Sequence, residues 1–180
     1  SQKKRSKNNK SWKLALMITL LVGCGLVYTY IHDTCTLTSV ARSGSMISTK
    51  ILLAMNIDIN GGDCYNTPLI AASNNPKMID LLLNKGADVH LSNQWGLTAL
   101  HKARGRQSVK VASLLIKAGA EINASTRYGK TPIFYAIQKQ DQRLVQFFIQ
   151  QGADLSYQDQ QGNTPLHMAA SKMNEELIQS

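Results

Sequence analysis

Arg127-Tyr128-Gly129-Lys130-Thr131-Pro132-Ile133-Phe134-Tyr135-Ala136 is the stretch from which the rest of the chain can be read. Thr131 suits a helix N-cap, because its hydroxyl can accept a hydrogen bond from a free N–H of the first turn. Pro132 suits the first helical position, where its missing N–H would have been orphaned anyway. The same opening recurs at Thr67, Thr98 and Thr164, with spacings of 31, 33 and 33 residues. A small residue follows at a fixed place (Ala72, Ala103, Ala136, Ala169), where a bulky side chain would hold neighbouring copies apart. Each complete copy then carries a second apolar run, Met78 to Leu83, Val111 to Ile116 and Leu144 to Ile149, at helical spacing. The runs end in Gly86-Ala87-Asp88, Gly119-Ala120-Glu121 and Gly152-Ala153-Asp154, with glycine at the helix C-cap. Self-similarity at this period means that one helical hairpin has been copied and stacked.

The pattern of Gly-x-Thr-Pro-Leu-His, an inter-helix loop, Leu-Leu and Gly-Ala-Asp-Val-Asn resembles the ankyrin repeat over about three-quarters of the chain. The resemblance implies an all-α solenoid of stacked helix-turn-helix units with β-turn fingers. Repeats fall at about 63–92, 93–125 and 126–158, with a partial copy over 159–180, inside a domain of residues 32–180. Tyr65 replaces the turn glycine of the first finger, which is expected to be distorted. Ile51 to Asn60 has the pattern of a second helix and its exit. Counting back 21 residues from Asn56 reaches Cys35, so residues 35–60 read as a degenerate capping repeat. The fourth copy contains Leu177 and Ile178 but not the later Leu-Leu and Gly. A short last helix is expected, with Phe147 and Phe148 incompletely covered and the end frayed or finished by a partner.

The net charge of +9 is unevenly placed. Six Lys/Arg lie in residues 1–13, leaving 14 basic and 11 acidic residues in the remainder, so composition offers no basic face for nucleic acid. Residues 1–13 read as a basic cytoplasmic tail. The uncharged stretch from Leu14 to Ile31 would form an N-terminal hydrophobic helix of about 27 Å, enough to cross a bilayer. Trp12, Tyr28 and Tyr30 flank it as interfacial aromatics do, and the lysines favour the cytoplasmic side, placing the repeats outside the cytoplasm. Leu21-Val22-Gly23-Cys24 also resembles a lipobox, so the segment reads either as an uncleaved signal-anchor or as a lipoprotein leader with Cys24 as the lipidated residue. In an oxidising space Cys35 and Cys64 are candidates for a disulfide between cap and first finger, the alternative being two free thiols.

No chemistry stands out. In the resembling family the imidazole at the place of His101 and His167 is a structural hydrogen-bonding group, and neither has a nucleophile and acid recurring beside it. No His/Cys spacing suggests a metal site or a cofactor. Gly129-Lys130-Thr131 imitates a phosphate-binding loop without its first glycine or its strand. Ser43-Gly44-Ser45 lacks the flanks of a nucleophile elbow. The residue pattern therefore favours binding over catalysis, with no small-molecule substrate.

The positions that ankyrin proteins commonly use for partners, carried onto this chain, are Trp95, Leu97, Arg106, Arg127, Tyr128, Lys130, Lys139, Gln160, Asn163 and Lys172. Trp, Tyr and Arg often dominate interface energy, and the cations favour a protein partner with an acidic patch. Together the N-terminal segment and the resemblance lead to the expectation of a membrane-anchored module of the bacterial envelope, with its repeats in the periplasm or extracytoplasmic space, binding a protein through its concave face. Its architecture is similar to that of immunity proteins that capture a secreted toxic effector such as a phospholipase. The alternatives are a scaffold or assembly factor for a membrane complex and a host-directed effector. The mass of the mature chain separates the two anchors: loss of the first 23 residues with a diacylglycerol on Cys24 identifies the lipoprotein, and an uncut N-terminus the spanning helix.

Overall fold

The computed structural model describes residues 35–54, 57–62 and 65–179. The hydrophobic helix at 14–31, the basic tail and Cys24 lie outside the described residues, as does Cys64 of the cysteine pair. No described helix is long and apolar enough to cross a membrane. Helices α1 (Cys35–Ser43), α3 (Pro68–Ala71), a 3-10 turn (Leu100–Lys102), α6 (Pro132–Gln138) and α8 (Pro165–Gln179) form an inner row. Helices α2 (Met46–Ala54), α4 (Pro76–Asn84), α5 (Ser108–Lys117) and α7 (Gln142–Gln150) form the outer one. No strand occurs among the described residues. Leu69, Met78, Leu82, Leu100, Val111, Leu115, Ile133, Phe134, Leu144 and Phe148 belong to one buried cluster running through successive repeats. Each hairpin buries its apolar face only against its neighbours, which is why the stack is the unit of stability.

Three motif helices differ from expectation. Thr67 caps α3 by accepting the Ile70 N–H at 3.3 Å, but Thr98 opens only a single 3-10 turn. Ala99 stands there in the proline place, and Gly105, at a left-handed φ of 85°, closes off the span that the helix after Thr131 fills. Thr131 makes no side-chain cap, and its buried hydroxyl has no partner among the described residues, because Phe134 holds the place where His101 and His167 serve Thr98 and Thr164. The last helix is not short. α8 runs unbroken for 15 residues through the positions where the other repeats turn, since Ala169 to Leu177 contains neither glycine nor proline. Phe148 is fully buried rather than incompletely covered, packed in the shared core, while Phe147 is half-buried.

The fingers fix the register of the stack. In three of them one side chain folds the turn on itself: Asn93 Oδ1 accepts the N–H groups of Trp95 and Leu97, each at 3.0 Å. Thr126 Oγ1 does the same for Tyr128 and Lys130, and Asp159 Oδ1 for Gln161 and Asn163. Successive fingers are then joined backbone to backbone, Arg127 N–H to Trp95 C=O at 3.0 Å and Gln160 N–H to Tyr128 C=O at 3.1 Å. Gly96 and Gly129 permit this twice over. Both have positive φ (77° and 72°), and a Cβ on Gly129 would lie 3.0 Å from Asp159 Cα and from Gln160 N in the next finger. A further strut is the buried His101. Its Nδ1 accepts the Thr98 N–H at 3.1 Å, which leaves the proton on Nε2 to donate to the Lys130 carbonyl at 3.2 Å. Burial drops this imidazole from 6.5 to about 4, opposed by that carbonyl hydrogen bond.

Two measurements check these contacts. Gly162 has the same left-handed backbone (φ 78°) with open space around it, so Gly162→Ala should cost about 1–2 kcal/mol in urea denaturation. Gly129→Ala should cost distinctly more, and equal losses would show that the close approach of fingers is immaterial. Because the folded pKa of His101 is depressed, the stability of the neutral ring is fully present above pH 6.5 and is lost as pH falls toward 4, a change on the order of 3 kcal/mol. His101→Phe should remove that acid limb from the stability profile; an unchanged slope would contradict the buried strut.

Candidate functional site: two exposed surfaces at opposite ends of the helices

The inner-row segments run from finger to inter-helix loop and the outer helices run back. The fingers and the loops therefore occupy opposite ends of the helices, and the sequence-derived binding residues divide between them.

At the finger end, Trp95 is half-buried and stacked on Tyr65, with ring centroids 5.8 Å apart and planes 23° from parallel. Tyr128, in the next finger, is half-exposed and Arg127 is exposed. The ladder between fingers holds these side chains on backbone whose φ and ψ are fixed, which lowers the entropy cost of an aromatic contact. Gln160 spends its side-chain amide on the Arg127 carbonyl at 2.7 Å. Lys130 reaches the buried carboxylate of Asp159 at 3.9 Å, so its charge is partly committed within the stack. Asn163 is exposed beside this pair. Leu97 does not present a contact surface: it is only 8% exposed, because the turn closing on Asn93 tucks it inward. Lys172 is half-buried on α8.

At the loop end, Arg106 and Lys139 sit on an open trough of about 1080 Å³ between the loops that precede α5 and α7. Arg104, Lys110 and Arg143 complete a rim of five exposed cations over a floor that includes Ala103, Ala136, Leu144 and Phe147. Its walls are set by Asp141, which caps α7 by accepting the Leu144 N–H at 3.1 Å and receives the Ser108 hydroxyl at 2.6 Å. Gln140 turns the second loop through a left-handed conformation (φ 55°). Lys102, behind this rim, has its pKa lowered by burial and then by the charges of Arg104 and Lys139. The folded part thus does carry a basic face, contrary to the expectation from composition, since stacking gathers cations that the sequence disperses.

Sequence reasoning noted Tyr65 only as a turn irregularity, and it missed Arg104, Lys110 and Arg143. The signal for the three cations was their common place beside the inter-helix loops of consecutive repeats. The turn-closing set of Asn93, Thr126 and Asp159 was also missed, although these residues recur at the repeat period and all can accept hydrogen bonds. Gly62 holds the corresponding place of the first finger and has no side chain to offer. Among the described residues no group of three His, Cys, Asp or Glu is arranged to hold a metal. His101, 3% exposed with both ring nitrogens engaged, is a packing element.

The family model for ankyrin repeats (3 copies) matches residues 70–159, and that for a single ankyrin repeat matches residues 161–180. No curated protein matches the chain. The repeated fingers, the paired rows of helices and these matches together place the chain in the ankyrin-repeat family, whose repeats are protein-protein interaction modules.

Proposed function

We propose that this chain is a non-enzymatic adaptor that captures a protein partner on the finger side of its repeats, the concave groove of such a stack. The observation that carries this reading is the row of side chains on three adjacent, mutually bonded fingers: Tyr65 stacked on Trp95, then Arg127 and Tyr128. Aromatic and guanidinium groups held this way have the character of binding hot spots, and Arg127 favours an acidic surface opposite it. The reading extends to the cell envelope. Six cations ahead of the apolar stretch at 14–31 support an anchor that leaves the repeats on the extracytoplasmic side, whether as a spanning helix or through lipidated Cys24. A secreted toxic effector is the partner class that fits such a placement by analogy of architecture.

The full-length chain, solubilised from membranes and used as bait, should retain a specific co-purifying protein. Trp95→Ala with Tyr128→Ala should weaken its capture about tenfold or more at unchanged melting temperature. Arg127→Glu is the charge test of choice, because Lys130→Glu would set a carboxylate against buried Asp159 and confound binding with folding. Undiminished capture by all these variants would overturn the finger-face assignment. Replacing 14–31 by an unrelated spanning segment leaves a finger-borne contact intact and abolishes one made by the apolar helix itself.

A further inference from the structure

We infer that the trough at the loop end is a second binding surface, built for an extended acidic segment of a protein. The inference rests on the reading of the chain as a protein-binding module, and it concerns a surface separate from the fingers. Arg104, Arg106, Lys110, Lys139 and Arg143 are all exposed, and none forms an ion pair among the described residues. The one carboxylate in the trough, Asp141, is already engaged by Ser108 and by the first turn of α7. Five like charges around one hollow repel each other, so an anionic occupant gains from all of them at once.

The trough does not stop at its own rim. Arg106 and Gln107 also line a second hollow of about 390 Å³ with Arg42, Asn75 and Lys77, so the basic strip crosses the loops of four consecutive hairpins. Packed helices lie about 8–10 Å apart, and three residues of an extended chain in the polyproline II conformation span about 9 Å and return the side chain to the same face. A carboxylate at every third residue would therefore meet the cations of one hairpin after another. The floor decides what kind of polyanion fits. Ala103, Val109, Ala136, Leu144 and Phe147 make it largely apolar, and Phe147 is the one aromatic ring in the lining. An acidic peptide with aliphatic residues between its carboxylates satisfies both floor and rim. A nucleic acid would meet the cations but find no row of rings on which to stack its bases.

The probe is a fluorescent peptide of repeated Leu-Ser-Glu triplets, about twelve residues long to cross four hairpins, titrated into the full-length chain in a neutral detergent. Saturable binding that weakens with salt is expected, and it should fall at least tenfold in a variant combining Arg106→Glu, Lys139→Glu and Arg143→Glu at unchanged melting temperature. Glutamine in place of the peptide's glutamates should abolish it. Charge reversal at Lys3, Lys4 and Arg5 should leave it intact, which separates the trough from the basic tail. Equal binding to the trough variant overturns the inference. So does tighter trough-dependent binding of a single-stranded oligonucleotide of the same charge, or of vesicles containing an anionic lipid, either of which assigns the strip to another ligand. Trp95→Ala with Tyr128→Ala should not change peptide binding, so the finger face and the trough succeed or fail separately.

Discussion

Everything in this molecule depends on how closely one finger can approach the next. A single helical hairpin exposes an apolar face on each side, and only a neighbour in the right register covers it. The backbone bonds from Arg127 to Trp95 and from Gln160 to Tyr128 set that register, and they exist because Gly96 and Gly129 have no Cβ to push the next chain away. The side-chain acceptors at Asn93 and Thr126 then shape their turns so that the Trp95 and Tyr128 carbonyls are aimed at the following copy. His101 adds a buried tie to the Lys130 carbonyl, linking the second motif turn to the third finger. Function follows from the same geometry, because the groups that lock the stack also hold Trp95 and Tyr128 on stiff backbone.

The two ends of the helices carry different chemistry. Acidic residues follow the outer helices at Asp88, Glu121 and Asp154, where Asn60 and Asn123 bond the backbone N–H groups of Asp88 and Asp154 in the next repeat. Cations collect instead around the inter-helix loops, where Arg104, Arg106, Lys110, Lys139 and Arg143 face a common trough. Near-neutral overall composition of the folded part therefore hides a strong internal separation of charge. That separation is costly where Lys110 and Arg143 stand in the first turns of α5 and α7, against the helix dipole, and at Lys102, whose charged form is disfavoured by burial and by its neighbours. A surface that stores such repulsion is suited to an anionic occupant.

The parts of the fold that were legible in the sequence are those dictated by local chemistry. Thr67, Pro68, Pro132, Gly152 and Gly162 act on their own turn of chain, so their meaning survives without knowledge of the neighbours. What the sequence concealed depends on packing. The length of each motif helix was not readable at Thr98, where Ala99 replaces the proline and the chain turns off at left-handed Gly105, nor after Thr164, where the absence of a breaker extends α8 to 15 residues. Leu97 carries a residue type at home in an interface, yet it lies inside the finger. The stack of Tyr65 on Trp95 joins residues 30 positions apart. The trough draws its cations from 104 to 143, a grouping that only the stacking of repeats creates.

The most direct measurement is residue-resolved amide exchange on the free chain. A finger ladder that sets the register requires the Arg127 and Gln160 amides to exchange as slowly as the amides of α5 and α7, since releasing them means separating repeats. Exchange of those two amides at the rate of an open surface loop, while the outer helices stay protected, would mean that the fingers are not what holds the stack in place.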